Sequence, residues 1–129
     1  MLKLNRVHHI AIICTDYEKS KHFYTQILGL TILREVYREQ RNSYKLDLEV
    51  AGQYQVELFS FPSPAPRPSR PEAAELRHLA FEVDGIDEAV AHITSNGIFV
   101  EPIRIDEFTG KRYTFFADPD ALPIEFVEK

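Results

Sequence analysis

Apolar and polar residues follow two different periods along this chain, and each change of period marks an element. Residues 7–14 form a short apolar run rich in β-branched side chains, which predicts a buried strand. Thr15 and Asp16 then offer helix N-cap oxygens. Ser20, Phe23, Tyr24, Ile27 and Leu28 recur at helical spacing up to Gly29, a natural C′ residue. Three strand-like stretches follow at about 31–38, 43–50 and 53–61, the first two joined by the polar turn segment 39–42. The order is β-α-β-β-β.

Residues 62–71 hold five prolines, too many for a helix interior or a central strand, and predict an extended linker. Beyond it the pattern restarts. A strand is expected at 76–83. Asp84 and Asp87 are placed to cap a helix in capping-box fashion, and Ile86, Ala89, Val90 and Ile93 give its apolar face before Asn96-Gly97. Strands are expected at about 99–104, 112–116 and 122–127. The expected fold is therefore α+β, with two βαβββ modules in tandem, at about 5–61 and 76–128, inside a single 129-residue domain.

The repeat has a constant offset. His9 and His78 are 69 positions apart, as are Thr15 and Asp84 at the two helix starts, and Glu57 and Glu125 are 68 apart. In each half the first strand carries a histidine and the last a glutamate. Side chains alternate across a strand, so His9 shares a face with Ala11 and Ile13, opposite Ile10, Ile12 and Cys14. Val56 and Leu58 flank Glu57, and Ile124 and Phe126 flank Glu125, so all four polar residues should point away from the helix-packed core. A carboxylate on an apolar strand is costly to desolvate unless it is paired or binds metal. Two imidazoles and two carboxylates together suit one divalent ion such as Zn, Ni, Co, Mn or Fe(II). Taken singly, a strand histidine is more often a hydrogen-bonded core residue and a strand glutamate more often solvated; the duplication shifts the balance toward metal.

Composition narrows the remaining classes. Hydrophobic residues make up 44% and charged residues 27%, which suits a soluble globular protein. The net charge of −5 and the lack of a dense Lys/Arg cluster argue against nucleic acid. No apolar run approaches the roughly 20 residues needed to cross a bilayer, and the N-terminal residues lack a signal-like apolar stretch. A single cysteine excludes an intrachain disulfide. The expected location is the cytoplasm, and Cys14 is expected to be buried and inert.

Further candidates surround the four residues. Phe59 and Phe61 share the Glu57 face and either wall a substrate pocket or pack in the core. Arg38, Arg41, Lys45, Lys111 and Arg112 lie on hairpins, where they either hold an anionic substrate tail or are solvated edge charges. His8 faces away from His9, and His22 and His92 sit on exposed helix positions.

The segments at 8–12 (HHIAI), 23–30 (FYTQILGL), 56–59 (VELF), 77–81 (RHLAF) and 118–125 (DPDALPIE) resemble the vicinal-oxygen-chelate superfamily, in particular its glyoxalase I-like members. The resemblance spans nearly the whole chain. It implies the glyoxalase/bleomycin resistance/dihydroxybiphenyl dioxygenase fold, a concave sheet around each metal site and a homodimer, with ligands drawn from one chain or from two. A His-Glu-His-Glu set looks most like bacterial glyoxalase I. That likeness implies a lactoylglutathione lyase-like enzyme acting on a small vicinal-oxygen substrate, such as a 2-oxoaldehyde–thiol adduct, by enediolate formation. One divalent ion, Zn, Ni or Co before Mn or Fe, would act as Lewis acid, with Glu57 or Glu125 as general base. Two positions depart from that pattern: Ile13 stands where an arginine contacts glutathione, and Phe61 or its neighbours where an asparagine is usual. Ala121 stands where glycine is common. The alternatives within the family are an Fe(II)-dependent dioxygenase and a metal-free small-molecule-binding or resistance protein.

Overall fold

Alternating burial builds the first half of the chain. In the computed structural model, which describes residues 1–129, β1 (Ile10–Cys14) runs parallel to β4 (Gln53–Ser60). β4 is antiparallel to β3 (Ser43–Val50), which is antiparallel to β2 (Thr31–Arg38). The strand order is β1-β4-β3-β2. Ile12, Cys14, Leu46, Leu48, Val56 and Leu58 are buried, all at alternate positions of one face. Their cover is α1 (Tyr17–His22), which continues into a π-helical turn, Phe23–Ile27, with Phe23 and Tyr24 buried. Asp16 caps α1 by accepting from the Lys19 amide at 3.2 Å. Gly29, at φ +79°, turns the chain out of the helix in the left-handed region.

The second half repeats this plan. β5 (Leu79–Val83) is parallel to β8 (Pro123–Glu128), β8 is antiparallel to β7 (Arg112–Ala117), and β7 pairs with β6 (Arg104–Ile105). The order is β5-β8-β7-β6. Leu79, Phe116, Leu122, Ile124 and Phe126 are buried, as are Ile86 and Ile93 of α2 (Ile86–Ser95). Before β8, Asp118 Oδ1 accepts from the Asp120 and Leu122 amides at 2.8 and 2.9 Å, holding a turn in which Ala121 takes φ +64°.

Each half is a βαβββ module, as the repeat predicts. Four local expectations are corrected. β1 and β5 start at Ile10 and Leu79, so His9 and His78 each precede the first paired residue. β6 is two residues long rather than six. The Glu101 amide bonds to Phe115 O at 3.1 Å, but regular pairing resumes only at Arg104, across from Tyr113, so the chain carries one extra residue between the two contacts. The capping box at Asp84 and Asp87 does not form. The N-cap is Gly85 with no side-chain cap, and the Asp87 carboxylate instead meets Arg112 Nη1 at 3.1 Å. Finally, the proline segment is more than a spacer. The chain divides into two compact units, Met1–Ala65 and Pro66–Lys129, so the later prolines belong to the second. There Ser69 Oγ donates to Ala121 O at 2.8 Å. No helix is long and apolar enough to cross a membrane.

Candidate metal centre

Within the first unit, Glu57 stands across from Ala11 on the β1–β4 ladder. His9 lies two residues before Ala11. His9 Nε2 lies 3.5 Å from Glu57 Oε2. Glu57 is buried, at 8% exposure, between the core residues Val56 and Leu58. The other ring nitrogen of His9 is 2.9 Å from His8 Nδ1, so the two imidazoles share one proton donor. His8, expected to face away, thus orients His9.

Glu57 also sits directly opposite Asp47 on the β3–β4 ladder. Two carboxylates at one register position repel each other, and cations offset this. Lys45 Nζ is 2.6 Å from Asp47 Oδ1 and 3.5 Å from Glu57 Oε2. Arg34 grips Asp47 Oδ2 through Nε at 3.0 Å and Nη2 at 2.6 Å. The Tyr54 hydroxyl donates to Glu57 Oε2. Burial pushes the Asp47 carboxyl up, but hydrogen bonds from Lys45, Arg34 and Tyr54 outweigh it and hold the group below the usual carboxylate range. Burial, followed by the bonds to Glu57 and Asp47, pushes the Tyr54 hydroxyl well above its ordinary range, so it stays a donor.

Sequence reasoning missed Arg34 and Tyr54 because strict alternation does not bring both to this face. The ladder slips twice. Ile32 pairs with Leu48 and Arg34 with Asp47, leaving Leu33 extra; Leu48 pairs with Val56 and Glu49 with Tyr54, leaving Gln55 extra. The bulges bring Arg34 to Asp47 and Tyr54 to Glu57.

The second unit keeps the pair and changes its surroundings. Glu125 stands across from Ala80 on the β5–β8 ladder, and His78 Nε2 lies 3.2 Å from Glu125 Oε1. At the register position equivalent to Asp47 is Phe115, across from Glu125, with its ring 5.1 Å from that of His78. Arg104 lies over the rings of Tyr113 and Phe115, at 4.9 and 5.8 Å. Arg77 Nη1 approaches His78 Nδ1 at 3.0 Å. A guanidinium only donates, so Nδ1 accepts here and the Nε2 proton faces Glu125.

The other candidates divide. Phe59 and Phe61 stack at 5.9 Å on the Glu57 side, with Arg38 over both rings and Arg41 over Phe61. Lys111 is exposed at the start of β7. Arg112 shares a strand face with buried Thr114 and Phe116, and its guanidinium is held by Glu128 at 2.7 Å and by Asp87 of α2. That is the helix side, opposite Glu125, so its partners are structural and it does not rim the ligand face. Cys14 is buried, with Sγ 3.3 Å from Phe59 O.

Imidazole nitrogen and carboxylate oxygen are donors that first-row divalent ions accept. The three contacts of Glu57 converge on Oε2. In neither unit do three or more His, Cys, Asp or Glu side chains stand where they could together hold a metal ion. Each unit therefore offers two donors of the right chemistry.

The chain is 62% identical over 129 residues, all of both chains, to YaeR of Escherichia coli (strain K12). It is 47% identical to a glyoxalase family protein from Enterococcus faecalis whose crystal structure superposes with a TM-score of 0.86, covering 95% of this chain and 97% of that one. A fosfomycin resistance protein of Listeria monocytogenes, FosX, complexed with Mn(II) and a dihydroxypropylphosphonic acid, shares the fold at 20% identity. Its TM-score is 0.74, with 97% and 93% of the two chains covered. Residues 6–126 match the family model itself, and the chain belongs to the Glyoxalase/Bleomycin resistance protein/Dioxygenase superfamily.

Proposed function

We propose that this protein is a divalent-metal-dependent, glyoxalase I-like lyase or isomerase acting on a small substrate with vicinal oxygens. His9, Glu57, His78 and Glu125 are its ligands. The supporting observation is that one His–Glu pair recurs at equivalent register positions, across from Ala11 and from Ala80, at 3.5 and 3.2 Å. Zn, Ni and Co suit this donor set, with Mn and Fe next. A divalent ion held there would supply Lewis acidity for negative charge developing on the substrate oxygens.

The chain's own residues divide the remaining work. Tyr54 and Lys45 pin Glu57 at Oε2, which fits a carboxylate that stays in place as a ligand. Glu125 has the His78 imidazole beside it and an aromatic ring opposite, which fits a carboxylate free to take a proton from a carbon beside a carbonyl and return it to the adjacent carbon. Phe59 and Phe61 would exclude water on the Glu57 side. A cytoplasmic homodimer is part of this reading.

The test is metal content of protein purified from metal-replete cells. Turnover of a methylglyoxal–thiol hemithioacetal then follows, against oxygen uptake with a catechol. About one divalent ion per four ligands and hemithioacetal turnover are expected; metal-free protein overturns the reading. One observation favours a second reading, a metal-free binding protein: Tyr54 and Lys45 already satisfy Glu57 without an ion. Stoichiometric ligand binding by metal-free protein, with no turnover, would support it.

A further inference from the structure

A cavity of about 440 Å³ lies within the second unit, between the proline segment and the strands that carry Phe115 and Arg104. Its wall is built rather than incidental. Arg67 donates to Leu76 O at 2.6 Å and to Ser69 Oγ at 2.8 Å, and Ser69 in turn bonds to Ala121 O, fixing the segment over the strands. The cavity abuts the second ligand pair. Phe115 lines it and lies across from Glu125, and Arg77 lines it and touches His78.

Four arginines line this space, Arg67, Arg70, Arg77 and Arg104, against three glutamates, Glu72, Glu75 and Glu101. Glu75 pairs with Arg67, Glu72 with Arg77 and Glu101 with Arg104. Arg70 forms no salt bridge and acts only through its field on Glu72, which Arg77 already holds, so the lining carries one positive charge in excess. Arg104 has one edge on Glu101 and its face on Tyr113 and Phe115, which holds the guanidinium plane while leaving other N–H groups to donate. Phe99, 83% exposed, and Phe115 supply apolar cover. The volume suits a small organic molecule.

We propose that this cavity binds a small organic anion bearing a phosphate or carboxylate group. Arg104 and Arg70 grip the anionic group while Phe99 and Phe115 cover the carbon skeleton. The inference deepens the metal reading and rests on it only in naming the substrate class for the His78–Glu125 site. The planar, bidentate donors of arginine match both oxyanions.

Calorimetric titration of the full chain with 2-phosphoglycolate, malonate and glycerol tests it, with and without Ni or Zn. The two anions are expected to bind and glycerol not; whichever anion binds more tightly identifies the preferred group. Arg70→Gln, at an exposed side chain outside any salt bridge, and Arg104→Gln should each weaken the preferred anion about tenfold or more. Arg104→Lys should fall between. Equal uptake of glycerol, or unchanged anion affinity in both Gln variants, overturns the proposal. Anion binding without metal uptake would sink the metal reading and leave this one standing; metal uptake without anion binding would do the reverse.

Discussion

Phe115 lies directly across from Glu125, at the register position where the first unit sets Asp47 across from Glu57. The two carboxylates match in their histidine partner and in the alanine across the parallel ladder, and differ in what faces them from the antiparallel neighbour. Glu57 carries a buried anionic neighbour and the cations that neighbour recruits, whereas Glu125 has an aromatic wall. The asymmetry gives the two glutamates different expected roles. Glu125→Gln should lower turnover by about 100- to 10,000-fold, the usual worth of a general base, while metal still binds. Glu57→Gln should lower both turnover and metal affinity. Normal turnover in either variant would remove the assigned roles; steady-state rates and metal titration of the same preparations decide it.

Asp47 predicts the acid side of the stability profile. Its folded-state carboxyl is held below the ordinary value of about 3.9. Its contribution is therefore complete above the unfolded value and is lost as pH falls through the lower folded one. Glu35, held low chiefly by Lys21 and then Tyr17, titrates in the same direction, so the informative quantity is the difference between variant and parent. Asp47→Asn should cost about 2 kcal/mol near neutral pH, the scale of hydrogen bonds to charged groups. It should also flatten the fall in stability below about pH 4. Urea unfolding between neutral and acid pH measures both; a parallel shift with no change in slope would mean that Asp47 acts through packing alone.

The two alanines across from the glutamates make a sharper test of geometry than the ligands themselves. Ala11 and Ala80 are exposed, and each stands across from the glutamate and two residues after the histidine of its pair. A leucine at either place would add bulk beside the pair, without disturbing the buried face. Ala11→Leu and Ala80→Leu should keep thermal stability within about 0.5 kcal/mol, the usual range for surface changes. They should lose the rise in Tm that added Ni, Zn or Co gives the parent, about 2.7 kcal/mol at 100 times Kd. A retained metal-induced shift would show that the pairs do not act through these positions.

The two His–Glu pairs were legible because they are repeated: a 69-residue offset between His9 and His78 is visible in the sequence without any structure. β2 and β3 were legible to the residue, since polar turn residues bracket their alternation. Arg34 and Tyr54 were hidden by single-residue bulges, which invert the face that alternation assigns. The shortness of β6 follows from a one-residue slip between Glu101, bonded to Phe115, and Arg104, across from Tyr113, which spacing alone does not show. The cavity was illegible for a different reason. Composition marks a proline-rich stretch as extended but does not say that Arg67 and Ser69 tie it back onto its own unit.

Whether one chain or two completes the four-ligand set is open to a complementation experiment. Each pair forms wholly inside its own unit, His9 with Glu57 and His78 with Glu125, so either can be supplied in trans. His9→Ala and His78→Ala should each be inactive alone. If a site takes one pair from each of two chains, a mixed dimer of the two variants carries one doubly damaged site and one intact site. Mixing after mild dissociation should then restore a measurable fraction of parental turnover, with metal bound in proportion. If all four ligands come from a single chain, every site in the mixture lacks one histidine and nothing returns. We expect restoration, because a pair that is complete within its unit needs nothing from the rest of its own chain to present its two donors.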